Sequence, residues 1–229
     1  MTARTDEPFR RPRTAQEAVL AELRTWILTR KLLPGAAIRQ DAIATELGVS
    51  RVPIREALKI LEGEGHVVYK PHRGYSLVEL DIGDLQEIYR IRQLLEEEAV
   101  RRSLPTLGPE ELERMAEAIA DMEQASDDGN MTELTAANRR FHFTLFESAA
   151  MPRLQHSIKV LWDSSDPYRS LYFLDAHHRT TVNAEHRSIM AQVQRGAVED
   201  VLDLLNQHRE HAIAELSAVL DGPEPGAEA

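Results

Sequence analysis

The segment Gly48-Val49-Ser50-Arg51-Val52-Pro53-Ile54-Arg55-Glu56-Ala57-Leu58 constrains this chain more than any other. Gly48 permits a sharp turn. Ser50 offers a hydroxyl that can accept an unpaired backbone N–H at a helix start. Pro53 falls in the first turn, where its missing N–H costs nothing. In the helix that follows, Arg51, Arg55 and Lys59 recur every fourth residue and share one face. Ile54, Ala57, Leu58 and Leu61 form a second face at core-facing spacing. A helix that packs on one side and presents cations on the other suits a DNA major groove. Arginine bonds guanine edges in bidentate fashion, and both Arg and Lys neutralise phosphate.

The flanking sequence agrees. Residues 14–30 predict a first helix with Val19, Leu20, Leu23, Trp26 and Ile27 inside, and Gln40 to Leu47 a second with Ile43, Ala44 and Leu47 at helical spacing. After the basic helix, Val67-Val68-Tyr69 and Tyr75-Ser76-Leu77-Val78 read as two short strands around the basic turn Lys70-Pro71-His72-Arg73-Gly74. Helix, turn, helix and a basic-tipped hairpin in that order make a winged helix-turn-helix over residues 14–79.

Charge divides the chain at the same place. The formal net charge of −11 looks wrong for a nucleic-acid binder until it is split. Residues 1–79 carry 13 Lys/Arg against 10 Asp/Glu, and residues 80–229 carry 14 against 28. One half should approach DNA and the other should be repelled by it. There is no cysteine, which excludes a disulfide framework and thiolate metal ligation. No stretch is apolar enough to span a bilayer and no N-terminal apolar leader is present, so a cytoplasmic protein without membrane contact is the expectation.

From Asp84 onward the pattern is helical, joined to the first half by Leu80 to Asp84. Leu85, Ile88, Tyr89, Ile91, Leu94, Leu95 and Val100 predict one face of a helix ending near Ser103. Further helices are predicted from Pro109, over about 132–147, 152–172 and 180–195, and over about 198–220 after Gly196. The fold class expected is mostly α: the winged helix with its small hairpin, then an all-α antiparallel helical bundle over 80–220. Residues 1–13 are expected to be a flexible arm and 221–229 a disordered tail.

Histidine placement is the second informative feature. His142 follows Asn138 by one turn, so the two share a face. His186 lies ten residues before Gly196 and His208 twelve after it. In an antiparallel hairpin turning at Gly196 these are about 15 and 18 Å along their helices, so the imidazoles stand at nearly one height. Three imidazoles and one oxygen suit Zn²⁺, or another imidazole-preferring divalent ion such as Ni²⁺. By spacing alone, the same pattern also fits three unrelated histidines. Of the others, His211 is expected at the surface, His177-His178 in an exposed loop, and His66 and His72 facing solvent or phosphate.

The ordered series Pro34-Gly35, Ile43-Ala44, Leu47 to Leu58, Leu61, Glu64-Gly65 and Gly74-Tyr75 resembles the DNA-binding domain of the GntR family. The resemblance implies that Ser50, Arg51, Arg55 and Lys59 read or grip DNA and that Arg73 and Gly74 of the wing approach the minor groove. Many relatives carry a basic residue where this chain has Asp41, and Arg39 is the candidate substitute. Asn138-Arg139-Arg140-Phe141-His142, Glu185-His186-Arg187-Ser188-Ile189 and Gly196 through His208 resemble the effector domain, called FCD, of the FadR-type branch. Metal-binding members present Asp, His, His and His at the positions of Asn138, His142, His186 and His208. Here an amide replaces the carboxylate, which removes one negative charge from the site. The same resemblance points Arg92 into a cavity, while spacing alone allows a surface pair with Glu96; Arg169 and Tyr168 are further candidates for an anionic ligand.

A ligand-responsive transcription regulator is therefore expected. It binds a palindromic double-stranded operator as a homodimer, takes a small carboxylate effector at a divalent metal, and acts as a repressor relieved by that effector. Two alternatives are a regulator for which the ion itself is the signal, and a helical metal-dependent hydrolase with Glu185 or Glu210 as general base.

Overall fold

The computed structural model of the protein describes residues 14–220, so the expected arm and tail lie outside the described residues. These residues form ten α-helices and two strands, with two hydrophobic cores.

The first core gathers α1 (Ala15–Leu28), α2 (Gln40–Leu47), α3 (Arg51–Gly63), β1 (Val67–Lys70) and β2 (Gly74–Leu77). Thr14 and Glu17 form a capping box at the start of α1, each side chain accepting from the other's backbone N–H. Gly48 ends α2 at φ 64°, a left-handed conformation that lets α3 depart at once. Ile54, Ala57, Leu58 and Leu61 of α3 are buried, as their spacing predicts. The strands pair antiparallel with Val67 opposite Leu77 and Lys70 opposite Gly74. Sequence reading missed a third contributor: Ile38 N–H donates to Tyr75 O at 2.8 Å and Leu77 N–H to Ala36 O at 3.0 Å, so the segment before α2 extends the wing sheet.

The second core holds α4 (Ile82–Ser103), α5 (Pro109–Asp127), α6 (Met131–Glu147), α7 (Pro152–Ser164), α8 (Asp166–Tyr172), α9 (Ala176–Arg195) and α10 (Val198–Leu220). Capping residues punctuate it: Asp81 accepts from Asp84 N–H at 2.8 Å and Asn130 from Glu133 N–H at 3.1 Å. Gly196, at φ 67°, turns α9 into α10 as expected.

Three expectations are corrected. The helix predicted over 152–172 is two helices broken at Ser165. Pro167 has no N–H for the carbonyl of Asp163 and its ring would strike that carbonyl, so α7 cannot continue through it. His177 and His178 lie in the first turn of α9, which Asp175 caps by accepting from His177 N–H at 2.6 Å. On α4, Ile91 and Leu94 are exposed. The buried stripe is Leu85, Ile88, Tyr89, Arg92, Glu96, Ala99, Val100 and Ser103. An ion pair thus occupies positions that apolar patterning gives to aliphatic residues.

Candidate functional site

The surface expected to face DNA follows from the packing of α3. With its apolar stripe turned into the first core, Ser50, Arg51, Arg55 and Lys59 are exposed, as are Arg39 before α2 and Arg73 at the wing tip. Gly74 adopts φ 80° next to Arg73 and has open space around its Cα. Ser50 occupies the N-cap position of α3 but its hydroxyl makes no capping bond, contrary to expectation. Arg51 pairs with Asp41, so the acidic residue that departs from the family pattern holds one cation of the helix. Val52, 61% exposed beside Arg51, was missed by a reading that looked only for cations. An exposed branched side chain on such a helix suits a thymine methyl.

His66 does not face solvent or phosphate. It is 1% exposed, and its Nε2–H donates to the backbone carbonyl of Asp163 at the end of α7. His72 stays exposed at the tip of the hairpin, with φ 64°.

In the second half, α6, α9 and α10 bring His142, His186 and His208 together, their ligand nitrogens all within 4.8 Å of one another. His142 Nε2 and His186 Nε2 are 2.9 Å apart. The edges of a tetrahedral zinc site with bonds near 2.0–2.1 Å span roughly 3.4 Å, so the His142–His186 pair would open by about half an ångström and any wider pair close to the same edge. His142 and His186 are fully buried, and burial, reinforced by the neighbouring histidines, presses both well below their ordinary values. They are therefore neutral, the form that ligates metal. Asn138 lines the same cavity, and its buried Oδ1 has no hydrogen-bond partner. His208 Nδ1–H donates to Glu185 Oε2 at 2.6 Å, leaving Nε2 free for the cavity. A carboxylate behind an imidazole is the usual outer support of a metal ligand. Three converging imidazoles, two of them held neutral by burial, an orphaned amide oxygen and this support fit a divalent cation.

Glu185 also bonds the exposed His211, so that histidine is at the surface as expected. Burial pushes the Glu185 carboxyl up, but His208 and His211 outweigh it and hold the group below its ordinary value. Glu185 is thus a support for His208 rather than a base aimed at a substrate, and Glu210 is exposed.

Beside the histidines stand three buried guanidiniums. Arg92 points inward: its Nε donates to Glu96 Oε1 at 2.8 Å, and its guanidinium lies 4.0 Å from the centre of the Trp162 ring. Arg209, unremarked in the sequence, donates to Glu96 Oε2 at 2.6 Å. Arg169 stacks on Trp162 at 4.6 Å and pairs with Asp166. Burial lowers Arg169 and Arg209 from their ordinary value, yet a guanidinium stays charged. All three arginines line the cavity, and Glu96 is the one carboxylate in its wall among the described residues. The free volume is only about 30 Å³, so a guest larger than water must move side chains.

Tyr168 does not line this cavity. Its hydroxyl accepts from Asp81 N–H at 3.1 Å and donates to Asp84 Oδ2 at 2.9 Å, fastening α8 to the connection between the two halves. A surface depression of about 660 Å³ between α5, α6 and α7 is lined by cations that already have partners. Arg139 and Lys159 are held by Asp163, and Arg140 by Asp121 and Glu133.

Comparison with known proteins divides the chain into the same two halves. Residues 15–76 match the family described as bacterial regulatory proteins, gntR family, and residues 87–211 match the FCD domain. The HTH-type transcriptional regulator YdhC of Bacillus subtilis is 30% identical over 201 residues, spanning 87% of this chain and 90% of that protein. The solved structure of Escherichia coli McbR/YncC superposes with a TM-score of 0.80 at 25% identity, covering 91% of this chain and 100% of that one. A GntR regulator from Rhodococcus sp. RHA1 gives 0.75 at 25% identity, covering 88% and 96%. These relatives are transcription regulators, and among the described residues no helix is long and apolar enough to cross a membrane. The chain belongs to the gntR family of bacterial regulatory proteins: it is a DNA-binding transcription regulator with an FCD domain, and not an enzyme.

Proposed function

We propose that this regulator is a repressor released from DNA when a small organic acid enters the FCD cavity. The observation that carries this reading is a cavity walled by a converging His₃ cluster and three buried guanidiniums, with Glu96, shared by Arg92 and Arg209, as the one carboxylate in the wall among the described residues. His142, His186 and His208, with Asn138 as the oxygen ligand, would hold Zn²⁺ or Ni²⁺, and the bound ion would supply positive charge at that end of the cavity. Arg92 and Arg169, with Arg209, supply charge complementarity at the other. A carboxylate is the group that both ends accept.

On DNA, two copies related by a two-fold axis would place their α3 helices in successive major grooves about one helical turn apart. Arg51, Arg55 and Lys59 face the duplex, Ser50 reaches the backbone, and Arg39 and Arg73 extend the contact to flanking phosphate and minor groove. The exposed Ile91 and Leu94 on α4 supply apolar surface for pairing of the copies. The effector shifts the equilibrium only if it prefers the arrangement that spaces the two α3 helices wrongly.

The test is a thermal-shift screen of zinc-loaded and chelated protein against mono- and dicarboxylates and sugar acids, followed by release from an operator selected in vitro. A native-state binder raises the melting temperature by mass action. Stabilisation by an acid that disappears on chelation, with release from the operator, supports the reading. Release by zinc alone favours the ion itself as the signal. On the DNA side, Arg55→Ala abolishes specific binding while leaving fold and pairing intact; unchanged affinity in Arg51→Ala/Arg55→Ala would remove α3 from the recognition role.

A further inference from the structure

We propose that the elbow between α7 and α8, Trp162 to Asp166, transmits the state of the cavity to the DNA-binding half, with His66 as the contact that receives it. The proposal rests on reading the cavity as the effector site.

The elbow exists because of Pro167. That residue cannot give an N–H to the carbonyl of Asp163, so the carbonyl is free of its helical bond and accepts from His66 Nε2 across the boundary between the two halves. One side of the elbow belongs to the cavity. Trp162 is faced by Arg92 at 4.0 Å, Arg169 at 4.6 Å and His142 at 4.9 Å. The fully buried Ser165 hydroxyl accepts from Arg92 at 3.2 Å and Arg169 at 2.9 Å and donates to Trp162 O at 2.7 Å. A guest drawn to those guanidiniums competes with Ser165 for their N–H groups, and the cavity has too little free volume to take one without movement.

The other side belongs to the winged helix. Gly65, at φ 79°, brings its backbone against Ser164, where an added Cβ would lie 3.6 Å from the serine Cβ. His66 follows directly: its N–H donates to Leu61 O of α3 at 2.9 Å, and its carbonyl accepts from Val78 N–H just past β2 at 3.1 Å. His66 therefore joins the end of the recognition helix to the base of the wing, and a displacement of the Asp163 carbonyl moves both together. The Asp163 side chain is clamped by Arg139 and Lys159, so the carbonyl moves with α7 rather than by itself.

The claim needs coupling rather than proximity, and a double-mutant cycle supplies it. The chain has no cysteine, so Glu56→Cys on exposed α3 and Glu113→Cys on exposed α5 give one pair of spin-label sites in the full chain. Pulsed dipolar spectroscopy, with labelled chain diluted in unlabelled chain, reads the ratio of docked to undocked domains. In metal-free protein, His66→Ala and Ser165→Ala should each lower that ratio about tenfold, as loss of one buried hydrogen bond does. The double variant should fall no further than His66→Ala. His66→Gln, which keeps a donor, should restore docking, and Pro167→Ala, which returns an N–H to the Asp163 carbonyl, should mimic His66→Ala. A double variant near a hundredfold loss would show two independent sites and overturn the proposal. In the second arm zinc ion is the probe. It should shift the ratio in the parent protein and leave it unmoved in His66→Ala, with equal zinc stoichiometry by calorimetry; a full shift in His66→Ala would also overturn it. Failure of zinc to bind the parent protein would count against the cavity reading, and the metal-free cycle would still decide the elbow.

Discussion

His208 Nδ1 and Glu185 Oε2 are 2.6 Å apart, and that one bond fixes which nitrogen of His208 faces the cavity. The carboxylate accepts the Nδ1 proton and so leaves Nε2 as the nitrogen available beside His142 and His186. Glu185→Ala should lower zinc affinity by roughly 10–100-fold, the usual cost of removing a carboxylate behind a ligating imidazole. Competition against a chromogenic chelator measures it, and the circular dichroism spectrum should be unchanged. An affinity equal to the parent's would mean that His208 is not held as a ligand.

The pair of Arg51 with Asp41 leads to a prediction of opposite sign at the DNA surface. Both side chains are about two-thirds exposed, so the pair contributes little to stability. It does neutralise a cation that DNA would otherwise meet. Asp41→Asn should tighten binding to non-specific duplex and steepen the salt dependence by about one unit of slope, because one more cation displaces counterions. Fluorescence anisotropy across a salt series tests this; a slope equal to the parent's would place Arg51 away from phosphate.

The sequence made the winged helix legible because its signals are local. Ile54, Ala57, Leu58 and Leu61 share a helical period, and Gly48 and the Lys70–Gly74 turn mark the boundaries, so side-chain direction followed from spacing. Convergence of His142, His186 and His208 was legible for the same reason, since Gly196 sets two of them at one height. Arg209 and Glu96 were not. Their roles depend on which face of α10 meets α4, and a charged pair in a core reads in one dimension as solvated surface. His66 was misread on the same ground, because nothing near it in sequence announces a carbonyl 97 residues away. The break at Ser165 was available in Pro167, whose effect on the residue four positions earlier is general.

Acid should weaken the fold through the buried histidines. His142 and His186 are held well below the ordinary value of 6.5, so near pH 6 the unfolded chain binds protons there and the folded chain does not. The unfolded state then carries more protons, and stability rises with pH. The stabilisation is fully present above about pH 6.5 and is lost progressively as pH falls below it. Glu185 adds to the loss below about pH 4.5, since its depressed carboxyl protonates first in the unfolded chain. Urea midpoints in chelator should hold nearly level from pH 8 to about pH 7 and fall from there to pH 5, and His142→Gln should flatten the slope between pH 7 and 5. An unchanged slope in that variant would show that His142 is not the group that titrates.

Glu96 bridges Arg92 and Arg209 with one oxygen on each, and it is 1% exposed. Removing it leaves two buried guanidiniums facing a cavity that no longer balances them. Glu96→Ala should cost about 3–5 kcal/mol of stability, the range for stranding a buried charge. Glu96→Gln keeps the shape and an acceptor oxygen but removes the negative charge, so it is the sharper probe of function. The cavity then holds three cations and no anion in its wall, and any carboxylate guest is drawn in more strongly. A small dicarboxylate such as succinate should raise the melting temperature of Glu96→Gln by more than it raises that of the parent protein, and sodium chloride at equal ionic strength should not. If the acid stabilises the parent and the variant equally, the guanidiniums are structural partners of Glu96 alone and the anion-binding role passes wholly to the histidine end of the cavity.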